Sequence, residues 1–519
     1  MEVSMKKSLK RVMITMLILL LCTGCSKSKT VDPKEANQEV TTPKSKTENT
    51  NAANTEKPKE TEKSLEYTTI TEWFDWGPAI TKVILNLGVS VDQATLSTDT
   101  FVVSSVRSYN QDGSAPDSTD EPSEVETQAR KVLKVYSSDK NGKNLTGGTY
   151  ITFEMEVGSE IVAGSPMNYN TSSSFCNFVD TSYIIELSKE AKLKSADGKQ
   201  ISITPTNKDG YVGNKNMIPD GFDYSGKYKQ GDTQLLYGSF TPQKASEKGK
   251  TPLIVWLHGH SEGGGQDARL AVYSNYTVNL ASEKIQSYFG DTGAFVLIPQ
   301  ARTFWMDYDG NMHYNDYYQE SEGKSYYTEA LMGLIKDYVA KHPEIDTNRI
   351  YIGGYSNGGY MSINMITEYP DYFTAAFPAC GPYYNEWMTD EKLKKIVDIP
   401  IWFTHCKKDT TVKIYETEFD GATNTIEVKK DEDGKEIPIY EHANALYDRL
   451  KKAGAKNVHY SLLDSVLDTS GRFFKAGTTE PYEYNGHFSW MYVLNNSCTD
   501  TIDGKKVTIM EWLGKQSKK

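Results

Sequence analysis

The chain is expected to fold as two units, an all-β sandwich followed by a mostly parallel sheet flanked by helices. Three observations predict this. Between Trp73 and about Asp220, β-branched and alternating segments are separated by turn signals, with no convincing amphipathic helix among them. Beyond residue 232 short apolar strands alternate with helical stretches, the pattern of a parallel sheet covered on both faces. The length of 519 residues exceeds one ordinary domain and favours two or three.

The first 65 residues stand outside both units. Lys6, Lys7, Lys10 and Arg11 precede an apolar run, 12–22, broken only by Thr15. A basic head and a short apolar stretch make a secretory signal, and eleven residues are too few to cross a hydrocarbon core of about 30 Å. The run ends in Cys22-Thr23-Gly24-Cys25, which resembles a bacterial lipoprotein lipobox. That resemblance implies removal of residues 1–24 and a diacylglycerol on Cys25. Residues 25–65 contain no aromatic side chain and too little apolar surface to offset ordering entropy, so a solvated tether is expected. The expected location is outside the cytoplasm, membrane-anchored on a bacterial surface. A net charge of −12 leaves no cationic face for nucleic acid, and six cysteines are too few for a disulfide-stapled scaffold.

The sandwich is expected over 66–220. Residues 81–87 are rich in β-branched side chains, and 151–157 alternates Ile151, Phe153, Met155 and Val157 with polar partners. Asp139-Lys140-Asn141-Gly142 and Asp197-Gly198 read as hairpin turns, the second before a strand at 201–204. These short strands suggest an immunoglobulin-like sandwich. Cys176 has no obvious mate and reads as a small buried hydrophobe. The Gly/Asn/Asp-rich stretch 210–232 reads as the boundary. In 221–519, strands are expected at 235–240, 253–257, 294–299, 350–353, 375–378, 401–404 and 458–462. Helices are expected at 268–287, 326–341, 359–368, 441–453 and just after Ser489. In such sheets chemistry collects at the carboxyl ends of strands.

Ile350-Tyr351-Ile352-Gly353 runs into Gly354-Tyr355-Ser356-Asn357-Gly358-Gly359 and then a helix. This is G-x-S-x-G in a strand–turn–helix context, where flanking glycines permit the sharp turn that lifts a serine hydroxyl above the sheet. An oxyanion site draws one amide from the residue after the nucleophile and one from the loop after an earlier strand. The amides of Asn357 and His260, the latter in His258-Gly259-His260 after 253–257, are the expected donors. The alternative, a metal on His258 and His260, lacks accompanying carboxylates or histidines, and no cofactor is expected. A base must follow Ser356 in this order of elements. His487, in Asn485-Gly486-His487-Phe488-Ser489-Trp490, sits in a glycine-flanked loop before a short helix and fits better than His405, His442 or His459. For the orienting acid, Asp409 follows the strand 401–404, with Asp464 and Asp468 as alternatives. The acidic turn Asp431-Glu432-Asp433-Gly434 lacks the spaced ligands of a calcium loop and reads as a hairpin tip.

The segment from about Gly231 to Trp512 resembles the α/β-hydrolases, and within them bacterial secreted esterases of the feruloyl-esterase and polyester-depolymerase kind, which overlap with prolyl-oligopeptidase-like domains. The matching residues are the His258-Gly259 loop, Gly354-Tyr355-Ser356-Asn357-Gly358-Gly359-Tyr360-Met361, Asp409, and Gly486-His487 with Trp490. The preceding region is similar to the immunoglobulin-like domain found ahead of some of these esterases. The resemblance implies a serine carboxylic-ester hydrolase with a Ser356-His487-Asp409 triad; a peptidase is the variant within that class. A non-catalytic surface binder on the same scaffold is the alternative outside it. Cys406 stands where such families carry Gly after His405, and either pairs with Cys380 or leaves two buried thiols. Aromatic loops after two strands, with Trp305 in one and Tyr383 and Trp387 in the other, are expected to wall the cleft together with Trp490. Such rings suit an aryl ester or a polysaccharide-linked ester. The sandwich holds none of the eight histidines and no candidate nucleophile, so 221–519 is expected to contain the whole catalytic apparatus.

Overall fold

The computed structural model describes residues 65–110, 124–170, 173–245, 247–265, 267–313, 323–421, 423 and 425–518. The signal segment, Cys25 and all but the last residue of the tether lie outside the described residues. No helix among the described residues is long and apolar enough to cross a membrane.

The first domain is an immunoglobulin-like pair of sheets. One sheet joins β1 (Tyr67–Phe74), β2 (Gly77–Asn86), β5 (Val132–Ser138), β6 (Tyr150–Met155) and β10 (Tyr211–Asn216) in the order β10-β1-β2-β6-β5. The other joins β3 (Phe101–Tyr109), β4 (Glu124–Ala129) and β9 (Asp180–Leu187) in the order β4-β3-β9. Period-two alternation sends Tyr67, Val83, Leu85, Phe101, Val103, Ile151, Phe153, Tyr183 and Ile185 into one core between them. A separate hairpin, β7 (Met167–Asn170) and β8 (Phe175–Phe178), leaves this body toward the second domain.

The second domain is an eight-stranded sheet. Its strands are β11 (Phe222–Gln230), β12 (Thr233–Phe240), β13 (Thr251–Leu257), β14 (Phe295–Gln300), β15 (Ile345–Tyr355), β16 (Ala375–Ala379), β17 (Ile401–Cys406) and β20 (Val458–Leu463). Their order is β11-β12-β14-β13-β15-β16-β17-β20, with β18 (Thr417–Asp420) and β19 (Thr425–Val428) forming a hairpin outside it. The pairings of β12 with β11 and β14 are antiparallel and the rest are parallel. Both faces are covered, so the strands read as continuous apolar runs. Leu253, Val255 and Leu257 of β13 join one core while Ile254 and Trp256 join the other.

Three expectations change. The stretch 210–232 is not simply a linker: β10 closes the sandwich sheet beside β1, β11 opens the eight-stranded sheet, and the chain crosses between them at 217–221. Residues 201–204 form no strand. The helix expected over 268–287 is broken into Arg269–Tyr273, a 3-10 segment and Glu283–Gln286. Left-handed Asn275 (φ 51°) and Tyr276 (φ 63°) break it, and the site explains why Asn275 turns there.

Candidate active site

Ser356 joins β15 to the helix Asn357–Glu368 with φ 52° and ψ −117°, a conformation that strains any side chain bearing a Cβ. Close packing holds the turn in place. A Cβ on Gly358 would lie 2.1 Å from the Leu257 carbonyl oxygen, and one on Gly359 would lie 2.5 Å from that of Ala379. The glycines therefore seat the elbow between the ends of β13 and β16. Ser356 N donates to Ala379 O at 3.0 Å, and the Asn357 side chain accepts from Met306 N at 2.9 Å, tying in the loop after β14.

Asp409 follows β17 and is fully buried. Its Oδ2 accepts from His487 Nδ1 at 2.9 Å and from His405 Nε2 at 3.0 Å; Oδ1 accepts from the amides of Thr411 at 2.8 Å and Val412 at 2.9 Å. Burial alone would raise this carboxyl, but the charge of His487 and the hydrogen bonds from both imidazoles hold it well below the usual carboxylate range. With Nδ1 engaged, His487 keeps Nε2 for a reacting group. Gly486 allows the approach, because a Cβ there would lie 2.4 Å from the backbone of Lys408. Trp490 packs edge-on to His487 at 5.4 Å and against Tyr355 at 4.5 Å, linking base and elbow. Asp464 instead pairs with Lys407 at 2.7 Å, and Asp468 accepts from Ser470, Arg472 N and Tyr484. Neither is hydrogen-bonded to His487.

The loop carrying His260 rests on a buried network. Asn275 donates to Glu262 Oε1 at 3.1 Å and to Tyr355 Oη at 2.9 Å, which is why the helix breaks at Asn275. Burial raises the Glu262 carboxyl. The hairpin of the first domain reaches the same loop: Phe175 stacks on His260 at 5.5 Å, and Cys176 N donates to Ser261 O at 2.6 Å. Phe304 covers the other face of His260 at 4.6 Å. Burial pushes both His258 and His260 down to about 4. His258 donates from Nδ1 to Gly259 O at 2.5 Å and accepts at Nε2 from Ala301 N at 3.1 Å, so both its nitrogens are engaged. The pair is thus held by packing and backbone, not arranged as a chelate.

Four cleft assignments are corrected. Trp305, Tyr383, Trp387 and Trp490 are at most 6% exposed and pack into the cores. Large rings gain most by burial, and these brace the loops: Trp305 lies against His258, and Tyr383 against Tyr360 and Trp387. Cys380 and Cys406 are separate free thiols. Cys380 Sγ lies with ligand atoms of Asp409 and His487 in a group within 4.8 Å, and burial drives its thiol well above the usual range. Asp431 accepts from the amides of Asp433 and Lys435, the capping of a hairpin tip. Sequence reasoning missed His405 as a second partner of Asp409, the Glu262–Asn275–Tyr355 network, and Phe175.

His442, behind the acid loop, packs at a tilt against Tyr384 at 4.6 Å, and burial pushes it down to about 4. Its unfolded value is about 6.5, so its contribution to stability is full above that pH and is lost as pH falls toward 4, at about 1.4 kcal/mol per unit. In His442→Phe this slope should vanish. Urea unfolding should show the variant gaining about 2–3 kcal/mol on wild type between pH 6.5 and 4.5. Parallel profiles would mean that His442 titrates normally in the fold.

Comparison with known proteins adds family information. Residues 66–202 match the esterase immunoglobulin-like N-terminal domain, and residues 243–443 match the phospholipase/carboxylesterase family. A search of curated proteins finds no match. Among solved structures, a thermostable esterase aligns at TM-score 0.58 and 24% identity, covering 87% of this chain and 100% of that one. A ferulic acid esterase aligns at TM-score 0.32 and 11% identity, covering 53% of this chain and 94% of that one. An acylaminoacyl peptidase aligns at 0.31 and 19%, covering 57% and 44%. The chain thus joins an immunoglobulin-like domain to an α/β-hydrolase fold, and residues 243–443 of the latter match the phospholipase/carboxylesterase family.

Proposed function

We propose that the protein is a serine carboxylic-ester hydrolase working through Ser356, His487 and Asp409. The observation that carries this reading is the buried Asp409–His487 hydrogen bond at 2.9 Å, in a domain whose elbow serine is held at φ 52°. Ser356 Oγ attacks the ester carbonyl while His487 Nε2 takes its proton. The imidazolium, stabilised by Asp409, then protonates the leaving alcohol. Water repeats the sequence on the acyl-enzyme. The amides of His260 and Asn357 are the proposed donors to the oxyanion, the second standing at a helix N-terminus that favours developing negative charge. A fluorophosphonate probe should label wild type and leave Ser356→Ala unlabelled. An unlabelled wild type would instead support a surface binder on this scaffold.

The finer substrate reading is an ester carried on polysaccharide. Burial of the four cleft rings withdraws the argument for an aryl acyl group, and the support for a sugar comes from the domain seam considered below. The proposed location is the outer face of a bacterial membrane, through a lipid on Cys25, and the support is the 1–25 sequence pattern. Cys25→Ser should shift the protein from the membrane to the soluble fraction or leave it unprocessed. A processed, membrane-bound variant would require another attachment.

A further inference from the structure

The seam between the two domains holds a cavity of about 640 Å³, within the roughly 300–1,000 Å³ typical of small-molecule sites. The first domain lines it from the ends of β1 and β6, and the second from residues 472–474, Tyr482 and Tyr484. Its wall includes Trp76 and Phe473, both packed on the buried Phe74. Trp76 stacks on Phe74 at 5.0 Å with planes 8° apart, and Phe473 meets both edge-on at 5.8 and 5.5 Å. Phe474 adds a ring that is 47% exposed.

Between the rings stand groups that accept and donate hydrogen bonds. Glu72 and Glu160 line the cavity, with Tyr482 Oη donating to Glu160 at 3.4 Å, and Lys82 is paired with Glu154 at 2.9 Å. Charges of both signs leave no cationic excess for a phosphate, and the lining alternates rings with charged groups. A pyranose suits both features. Its C–H face packs on the negative face of an aromatic ring, while its hydroxyls donate to carboxylates and accept from ammonium or phenol groups.

The position also fits. Tyr484 ends the short strand Glu483–Tyr484 and stands three residues before His487. Three residues span at most about 11 Å, so the cavity wall and the loop carrying the proposed base are neighbours.

We propose that the seam cavity binds a short stretch of neutral polysaccharide, holding the polymer whose ester reaches Ser356. This role rests on the esterase reading for its purpose, but sugar binding itself requires no turnover. The test is calorimetric titration of the full chain carrying Ser356→Ala with xylohexaose and with cellohexaose. Saturable binding to at least one is expected, weakened about tenfold by Phe474→Ala and by Glu160→Gln, which is about 1.4 kcal/mol each. Both positions are exposed, so melting temperatures should hold. With Ser356 intact, both variants should keep wild-type kcat on a small soluble ester. No binding of either hexaose, or binding that survives both substitutions, overturns the proposal. Sugar binding in a protein that cleaves no ester would support this site and defeat the esterase reading, whereas ester cleavage without sugar binding defeats this site alone.

Discussion

His487→Ala should lower kcat on a small activated ester such as p-nitrophenyl acetate by about a millionfold, with KM nearly unchanged. The imidazole is the proton carrier of both half-reactions, and removing it leaves Ser356 at the basicity of a free alcohol. Asp409→Asn should cost about ten-thousandfold. An asparagine amide can turn an N–H toward His487 Nδ1 and so select the wrong tautomer, and it loses the charge that stabilises the imidazolium. The same substitution puts at risk the hydrogen bond from His405 Nε2, which shares Oδ2 at 3.0 Å. Stopped-flow and steady-state rates on the purified variants check both figures. Full activity in Asp409→Asn would falsify the assignment of the acid. It would have to pass to a carboxylate that the structure shows engaged elsewhere, since Asp464 is held by Lys407 and Asp468 by Ser470 and Arg472.

Much of this arrangement is legible in the sequence because its causes are local. The runs at β13 and β15–β17 are apolar enough to mark a sheet buried on both faces, and Gly354, Gly358 and Gly359 mark a turn where a Cβ would strike the backbone. Asp409 and His487 are found by their position after strands and by a neighbouring Gly486. What escapes the reading depends on contacts distant in sequence. β11 carries Phe222, Tyr224 and Tyr228 at period two, yet its Gly, Asp and Lys neighbours disguise it as a linker. The break at Asn275 follows from Glu262 and Tyr355, thirteen and eighty residues away. The aromatic loops carry the same composition whether their rings face substrate or core, and only packing shows that Trp305 and Tyr383 face the core.

Removing the first domain should cost catalysis as well as solubility, against the expectation that 221–519 is self-sufficient. The hairpin β7–β8 supplies Phe175, which stacks on His260 opposite Phe304, and the Cys176 amide, which bonds Ser261 O. A Cβ on Gly263 would come within 3.1 Å of the Phe175 ring, so this loop and the hairpin are in tight contact. The loop carries one of the two proposed oxyanion donors. Donors act by being fixed where charge develops, and a displacement of about 1 Å can cost a hundredfold. A truncation beginning near Gly221 should therefore lose about a hundredfold in kcat even on p-nitrophenyl acetate, with active-site titration correcting for misfolded enzyme. Phe175→Ala, which keeps both domains and the Cys176 hydrogen bond, should lose about tenfold in kcat with little change in KM. Its fluorophosphonate labelling should still go to completion, because Ser356, His487 and Asp409 lie outside the contact. Unchanged kcat in both proteins would show that the loop holds its shape unaided, leaving the sandwich a role in positioning or substrate capture alone.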